Sequence, residues 1–318
     1  MTVLGAAGWA AWWVYHPLTL RAPSLDLSIE PGTLPRAVAV AVRDAGVDVN
    51  PDLLHAWFRL SGQDKAIRAG SYELTTGITP HRLLAKLARG DESLRAVTLV
   101  EGWNIRQVRA ALARADSLKP TTANLTDEAL MTQLGRAGVH PEGRFFPDTY
   151  TYSKGSSDLA VYRRALRAMD KRLAAAWAQR SAACAAKTAD EALIVASIVE
   201  KETGRAEDRA LISAVFNNRL RMGMPLQTDP TVIYGLGPAF DGNLRKTDLL
   251  RDTPWNTYTR SGLPPTPISM PGKASLLAAV RPAAGNVLYF VSRGDGSSHF
   301  SATLGEHNKA VNRFQRGQ

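Results

Sequence analysis

A run of eight apolar or small residues that ends in charged side chains constrains this chain more than any other segment. Residues 192–203 read ALIVASIVEKET, so the run leads directly into Glu200 and Glu202. On a helix such a run is apolar on every side, which predicts burial. A carboxyl at the end of a buried run is poorly solvated, and this favours the neutral form that a general acid needs. Glu200 is therefore the first candidate catalytic residue; the alternative is that it only marks where a core helix reaches water.

Length and composition are those of a folded globular protein. The chain has 318 residues, of which 45% are hydrophobic and 21% charged, so two or three domains are plausible. Its single cysteine, Cys184, has no partner for a disulfide or a metal site. His299 and His307 lack the spacing of a helical metal pair. We therefore predict no cofactor and no metal.

The net charge of +10 points to an anionic partner. The basic residues are scattered along the chain, and neither zinc-finger spacing, nor an RNP-like aromatic motif, nor a basic region with heptads is present. We therefore predict no nucleic acid as partner. An acidic polymer or a phospholipid surface fits the charge better.

The amino terminus has the composition of a membrane segment. Residues 2–20 contain no Asp, Glu, Lys or Arg, and Trp and Tyr cluster toward the end of the stretch, as in an interfacial belt. Pro17 is expected to end the helix before it reaches the roughly 20 residues that span a bilayer. We predict an anchor over residues 1–21 with a truncated or misplaced start. A signal-peptide core and a soluble buried helix are the alternatives.

The remaining pattern predicts an α+β protein with two further parts. Residues 22–118 form a small module followed by a helix, and residues 119–318 form a larger domain of helices and short strands. The fifty residues from 223 to 272 hold eight prolines and are expected to be mostly irregular, which is usual for a functional segment. The predicted elements of the module are a strand at 22–30, helices at 34–46 and 50–60, and a strand at 69–74.

Five segments of the chain match the motifs of one family. They are EGRFFPDTYTY (142–152), ASIVEKETG (196–204), VFNNRLRMGMPLQTDPTVIYGLG (215–237), NTYTRSGLPPTPISMPG (256–272) and LYFVSRGDGSSHFSATLGEHN (288–308). In these segments the chain resembles the endolytic murein transglycosylase family, also called YceG-like or MltG. The resemblance extends from residue 25 to residue 315 in the family's order and spacing. Arg144 departs from it, because an aromatic residue is common at that position.

The resemblance implies a single-pass inner-membrane protein with a periplasmic catalytic part and a LysM-like βααβ subdomain. It implies that the protein cleaves nascent peptidoglycan strands internally, between N-acetylmuramic acid and N-acetylglucosamine. The product would carry a 1,6-anhydromuramoyl end, and cleavage would terminate glycan elongation beside the penicillin-binding synthases. The family's catalytic glutamate falls on Glu200.

A lytic transglycosylase needs one carboxyl group, which first gives a proton to the glycosidic oxygen and then removes one from the C6 hydroxyl. We predict Glu200 for both steps. Glu202 is the alternative, and it points about 200° away from Glu200 on a helix. Glu142 is the candidate second carboxylate, which would stabilise positive charge or orient Glu200; a structural role is equally compatible with its position.

Polar residues in two segments are candidates for substrate binding. Gln227 and Asp229 belong to the QTDPT motif and could bind the acetamido or hydroxyl groups of the sugar. The alternative is a helix cap or an Asx-type turn. Asn256 and Tyr258 lie in the proline-rich segment and could form one wall of a cleft, or a well-bonded surface loop.

The sequence is also compatible with two other functions. One is a peptidoglycan hydrolase in which Glu200 acts with Glu142 and a water molecule. The other is a non-catalytic peptidoglycan-binding scaffold of the cell-wall synthesis machinery. The chemistry of the products distinguishes all three possibilities.

Overall fold

Many helices and a few short pairs of strands give the chain a mixed α+β architecture, as predicted. The computed structural model describes residues 2–30, 32–90, 95–152 and 155–317. The helices are α1 (Thr2–Tyr15), α2 (Pro35–Asp44), α3 (Pro51–Leu60), α4 (Pro80–Arg89), α5 (Ile105–Ala113), α6 (Asp127–Gln133), α7 (Asp158–Trp177), α8 (Ala189–Glu202), α9 (Ala206–Arg221), α10 (Asp229–Leu236), α11 (Lys246–Leu250), α12 (Lys273–Val280) and α13 (Leu304–Gln315). The strands are β1 (Thr19–Leu20), β2 (Ser24–Ile29), β3 (Val47–Asp48), β4 (Gly70–Thr75), β5 (Arg95–Thr98), β6 (Thr149–Tyr152), β7 (Tyr289–Ser292) and β8 (Ser298–Ser301). They pair as β1–β3, β2–β4, β5–β6 and β7–β8.

The first compact unit contains the described residues up to Val97 together with 112–123 and 149–161. Its β2 and β4 pair antiparallel, from Ser24 opposite Thr75 to Ile29 opposite Gly70. Helices α2 and α3 lie between these strands in the chain, so the predicted strand–helix–helix–strand order is confirmed. The core of the unit is built from the apolar faces of these elements and of α4, and includes Leu27, Val38, Leu54, Phe58, Leu74 and Leu83.

The uncharged amino-terminal stretch folds as α1, which has 14 residues. The aromatic side chains of Trp9, Trp12 and Tyr15 are exposed, while Val14 is buried. None of the helices in the described ranges combines the length and the apolarity that crossing a bilayer requires.

The second compact unit contains residues 98–111 and 124–148 and the chain from Tyr162 onward. At its centre α8 packs against α9 and α12, and every residue from Ala192 to Val199 except Ile194 is buried, as the sequence predicts. A hydrogen bond also joins α9 to α12, in which the Ser213 hydroxyl donates to the Ala278 carbonyl at 2.7 Å. The packing of α8 against these two helices fixes the position of its carboxyl end.

One feature of the organisation differs from the sequence-based expectation. The prediction divides the chain once near residue 118, whereas segments of the two compact units alternate along the chain between residues 97 and 162. The segment 223–272 is mostly irregular, as predicted, although it also contains α10 and α11. Pro230 lies in the first turn of α10, where a missing N–H leaves no helical hydrogen bond unmade.

Candidate functional site

Glu200 lies half-buried near the carboxyl end of α8 and contacts the beginning of another helix. Its Oε2 accepts a hydrogen bond of 2.9 Å from the backbone N–H of Gly272, the residue that precedes α12. The N-cap of α12 has no side-chain hydrogen bond of its own. A carboxylate at the start of a helix satisfies a free N–H and interacts favourably with the helix dipole. This contact holds the Glu200 carboxyl against the start of α12.

A second carboxyl group, Glu101, lies beside Glu200. A Cβ atom on Gly272 would overlap the Glu101 carboxyl, so this group lies directly against the Gly272 backbone. Partial burial and the charge of Glu200 raise the pKa of Glu101, and Arg209 opposes them. Sequence reasoning missed Glu101, since it belongs to none of the motif segments. The fold brings it there by pairing Gly102 N–H with the Met270 carbonyl at 2.9 Å.

Glu202 is the last residue of α8, and its surroundings differ from those of Glu200. It is half-buried, and its Oε1 accepts a short hydrogen bond from the hydroxyl of Thr228. Burial raises the pKa of Glu202 to about 7, the hydrogen bond from Thr228 opposes this shift, and the charge of Asp229 adds to it. A carboxyl that titrates near neutral pH can hold a proton and release it, as a general acid and base must.

Three of the predicted substrate-binding residues lie together in this second environment. Gln227 and Asp229 are exposed on either side of Thr228. The Tyr258 hydroxyl donates to Asp229 Oδ1 at 2.6 Å, which joins the proline-rich segment to the QTDPT motif. Burial and this hydrogen bond raise the pKa of Tyr258. The structure therefore groups Gln227, Asp229 and Tyr258 with Glu202.

Arg219 holds the segment that carries Gln227, and sequence reasoning missed it. The guanidinium is buried and donates from Nη1 to the Leu226 carbonyl at 2.8 Å and to Gln227 Oε1 at 3.3 Å. Gln227 adopts a left-handed backbone conformation with φ of 51°, which a non-glycine residue rarely takes without support. The available signal was an arginine in the otherwise apolar and amide-rich run VFNNRL of α9.

Glu142 does not reach the surface. Its side chain is fully buried, and both carboxylate oxygens lie 3.1 Å from the backbone nitrogen of Ile105 at the start of α5. Burial raises the pKa of Glu142 to about 7, against hydrogen bonds from the Ile105 backbone and from Tyr234. An enclosed carboxyl bound to the start of a helix cannot stabilise positive charge on a bound sugar by contact, so the structure favours the structural alternative for Glu142.

Glu142 makes the stability of the fold depend on pH. A folded-state pKa of about 7, against an ordinary value of 4.5, means that the folded protein binds more protons than the unfolded chain between those values. Stability therefore falls as pH rises through this interval and stays lower above it. We expect Glu142→Gln to be more stable than wild type by about 2–3 kcal/mol at pH 8, with near-equal stabilities at pH 5. Urea denaturation at both pH values measures this, with the exposed Glu207→Gln as control. A difference that does not change with pH would contradict the assignment.

Asn256 is also interior, although the sequence predicts contact with substrate. The side chain is fully buried, and its Nδ2 donates to the carbonyls of Leu249 at 3.0 Å and Arg251 at 2.7 Å. Its Oδ1 accepts the backbone N–H of Tyr258 at 2.8 Å. Because the amide is engaged within the loop on both sides, we correct its role to fixing the loop that presents Tyr258.

The two histidines of the carboxyl-terminal segment are not arranged as metal ligands. His307 stacks on the ring of Tyr289 at 5.2 Å, and burial and the nearby Arg219 lower its pKa. His299 lies 5.6 Å from the Phe314 ring. Within the described ranges, no group of three or more His, Cys, Asp or Glu side chains could hold a metal ion.

Comparison with known proteins finds the same family as the sequence motifs. Residues 27–313 match the YceG-like family. The chain is 31% identical over 308 residues to the endolytic murein transglycosylase of Bacillus subtilis, which covers 92% of this chain and 85% of that protein. It is 26% identical over 320 residues to the protein of the same name from Streptococcus pneumoniae, which covers 90% of this chain and 58% of that protein.

A solved structure agrees with the match. The 2.6 Å crystal structure of a YceG-like protein from Listeria monocytogenes superposes with a TM-score of 0.56 at 28% identity, and covers 90% of this chain and 98% of that one. The resemblance seen in the motifs is thereby confirmed over nearly the whole sequence. The chain belongs to the YceG-like family.

Proposed function

We propose that this protein is a lytic transglycosylase that cleaves peptidoglycan glycan strands internally. The observation that carries the proposal is the position of the Glu202 carboxyl, which contacts Thr228 between the exposed Gln227 and Asp229 and whose pKa is raised to about 7 by burial. The relatives named endolytic murein transglycosylase support the substrate and the internal mode of cleavage.

The reaction we propose needs one carboxyl group and no water. The neutral carboxyl protonates the glycosidic oxygen, and the bond from that oxygen to C1 of N-acetylmuramic acid breaks. The C6 hydroxyl of the same sugar then attacks C1, and the carboxylate takes up its proton. The acid is thereby restored, and the product carries a 1,6-anhydro ring. Because the nucleophile is tethered to the reacting carbon, its effective concentration is high.

Between the two carboxyls at the end of α8, we propose Glu202 rather than Glu200 for this role. The Oε2 of Glu200 is already bound to the backbone N–H of Gly272 at the start of α12. Glu202 combines burial with a raised pKa and lies among the predicted substrate-binding residues. The sequence predicts Glu200 from the end of the apolar run and from the family motif, with Glu202 as the alternative, and the contacts of the two carboxyls lead us to propose the alternative.

We propose that Gln227, Asp229 and Tyr258 bind the sugar next to the cleaved bond. The amide of Gln227 suits an N-acetyl group, since it can both donate and accept. Asp229 is exposed and held by Tyr258, so its negative charge can stabilise the oxocarbenium-like transition state of glycoside cleavage.

The products of wild-type protein test the reaction. We expect uncrosslinked glycan strands to give internal fragments with anhydromuramoyl ends, identified by mass spectrometry against a hydrolytic muramidase digest that supplies reducing ends as reference. Reducing ends from this protein would replace the mechanism with hydrolysis. Binding without any cleavage would instead indicate a glycan-binding scaffold.

We also propose that the protein works at the outer face of the inner membrane, near peptidoglycan synthases, where its cleavage ends strand elongation. The substrate class supports this location, and the exposed Trp9, Trp12 and Tyr15 of α1 suit a membrane interface. The βααβ part of the first unit would bind glycan as a LysM-like module. The net charge of +10 would attract the acidic stem peptides and anionic lipids without being specific for either.

A further inference from the structure

Three buried threonines form a closed ring of hydrogen bonds next to Glu202. The backbone N–H of Thr228 donates to Thr257 Oγ1 at 3.1 Å, and the Thr231 hydroxyl donates to the Thr228 carbonyl at 2.7 Å. The ring is completed by the hydroxyl oxygens of Thr231 and Thr257, which are 2.9 Å apart. All three residues are at most 2% exposed.

The direction of every hydrogen bond in the ring is determined. A hydroxyl has one proton, and that of Thr231 goes to a carbonyl, which can only accept. The contact between the two hydroxyls is therefore made by the proton of Thr257. The ring fixes the backbone of Thr228, whose own hydroxyl donates to Glu202 Oε1. The carbonyl oxygen of a neutral carboxyl is its better acceptor, so with Oε1 accepting this bond the acidic proton of neutral Glu202 is assigned to Oε2.

We propose that Thr228 is the positioning residue of the catalytic carboxyl and that proton transfer in both directions passes through Glu202 Oε2. The inference rests on the proposed function, in which Glu202 is the acid and base. Thr228 is too deeply buried to contact a sugar. It acts through Glu202 by holding Oε1 in place and leaving Oε2 for the glycosidic oxygen and the C6 hydroxyl.

The hydroxyl of Thr228 also changes the energy of the carboxyl during the reaction. A hydrogen bond to a charged carboxylate is stronger than one to a neutral acid, so the contact strengthens when Oε2 gives up its proton. The Thr228 hydroxyl thereby stabilises the charged carboxylate of Glu202, which exists after the glycosidic oxygen has been protonated and before the proton of the C6 hydroxyl is taken up. The same contact opposes the burial of Glu202, which would otherwise move the titration to a higher pH.

Thr228→Val, which replaces the hydroxyl by a methyl group of similar size, tests the proposal against Thr228→Ser, which keeps the hydroxyl. We expect the valine variant to lower kcat about tenfold or more, with KM little changed. We expect the alkaline limb of its pH–rate profile to move up by about one unit, because the carboxylate has lost a stabilising donor. The serine variant should retain both the rate and the profile of wild type.

A titration gives a readout that does not depend on activity. Carbon-13 NMR of the glutamate carboxyls follows Glu202 directly, with its signal assigned by its loss in Glu202→Gln. The midpoint should rise in Thr228→Val and stay unchanged in Thr228→Ser. If the valine variant does not fold, Thr228→Ala supplies the same comparison.

The outcomes separate this inference from the proposed function. An unchanged midpoint and an unchanged alkaline limb in the valine variant would overturn the role of Thr228, even if its rate falls, since distortion alone lowers a rate without moving the titration. If wild type cleaves no glycan while the midpoint still rises in Thr228→Val, the reaction is wrong, but the control of Glu202 by Thr228 stands.

Discussion

Glu202→Gln is expected to lower the rate of glycan cleavage about a thousandfold or more, because one carboxyl serves as both acid and base and each role contributes about 10²–10⁴. Glutamine has nearly the same shape and can still accept the hydrogen bond from Thr228, so the surrounding structure should persist. What it lacks is a proton to give to the leaving oxygen. Single-turnover cleavage of uncrosslinked strands, with fragments quantified by mass spectrometry, measures the effect.

The matched variant is Glu200→Gln, two residues earlier on the same helix. Its side-chain oxygen can still accept the N–H of Gly272, so we expect activity within about tenfold of wild type, with the loss due only to a weaker helix cap. Thermal denaturation of both variants shows whether each is folded. The reverse order of losses, with Glu200→Gln inactive and Glu202→Gln active, would return the acid role to Glu200.

The pH dependence of wild type provides a separate check on the same assignment. If protonated Glu202 starts the reaction, activity should fall as pH rises above about 7, the pKa to which burial raises this group. A rate that remains constant well into the alkaline range would exclude Glu202 as the acid.

Gly143→Ala is expected to lower the free energy of unfolding by more than about 3 kcal/mol, through backbone strain and overpacking together. Gly143 has φ of 77°, a conformation that is costly for alanine. A Cβ at this position would lie 2.5 Å from Cβ of Pro267 and 2.7 Å from its Cγ. A proline ring cannot rotate away, so the backbone itself has to move.

Gly138→Ala is the matched control, because Gly138 also has φ of 77° and a Cβ there would meet nothing within 4 Å. Both variants carry the backbone penalty, and only Gly143→Ala carries the steric one. Urea denaturation should therefore show a further loss of about 1–3 kcal/mol for Gly143→Ala. Equal losses would mean that the chain near Pro267 adapts without cost.

The core helix of the candidate site could be predicted from the sequence, but the contacts that distinguish its two terminal carboxyls could not. An apolar run of eight residues that ends in charge predicts a buried element, and the run lies in the core as part of α8. Whether Glu200 or Glu202 is the acid depends on Gly272 and Thr228, which are far away in the chain. The local pattern contains neither contact. Both carboxyls lie near the end of α8 and point in different directions, so the pattern does not show which of them is the acid.

The roles of Glu142 and Asn256 also could not be predicted, because the sequence does not show which groups their side chains contact in the fold. Glu142 and Asn256 are polar residues in motif segments, which suggested contact with substrate, yet both are fully buried and bound to backbone groups. A family motif can preserve the shape of a loop as well as its chemistry, and sequence alone does not separate these uses. Gln227, Asp229 and Tyr258 are exposed or half-buried and keep their proposed role.

The buried amide of Asn256 bears on the thermodynamics of substrate binding. Its Nδ2 donates to the carbonyls of Leu249 and Arg251, and its Oδ1 accepts the backbone N–H of Tyr258. The conformation of the loop before Tyr258 is therefore set when the protein folds. A flexible loop would lose conformational entropy at each encounter with a glycan strand, and that loss would weaken binding. A preorganised loop avoids this loss, so under the proposed function Tyr258 would meet each sugar with its backbone already in place.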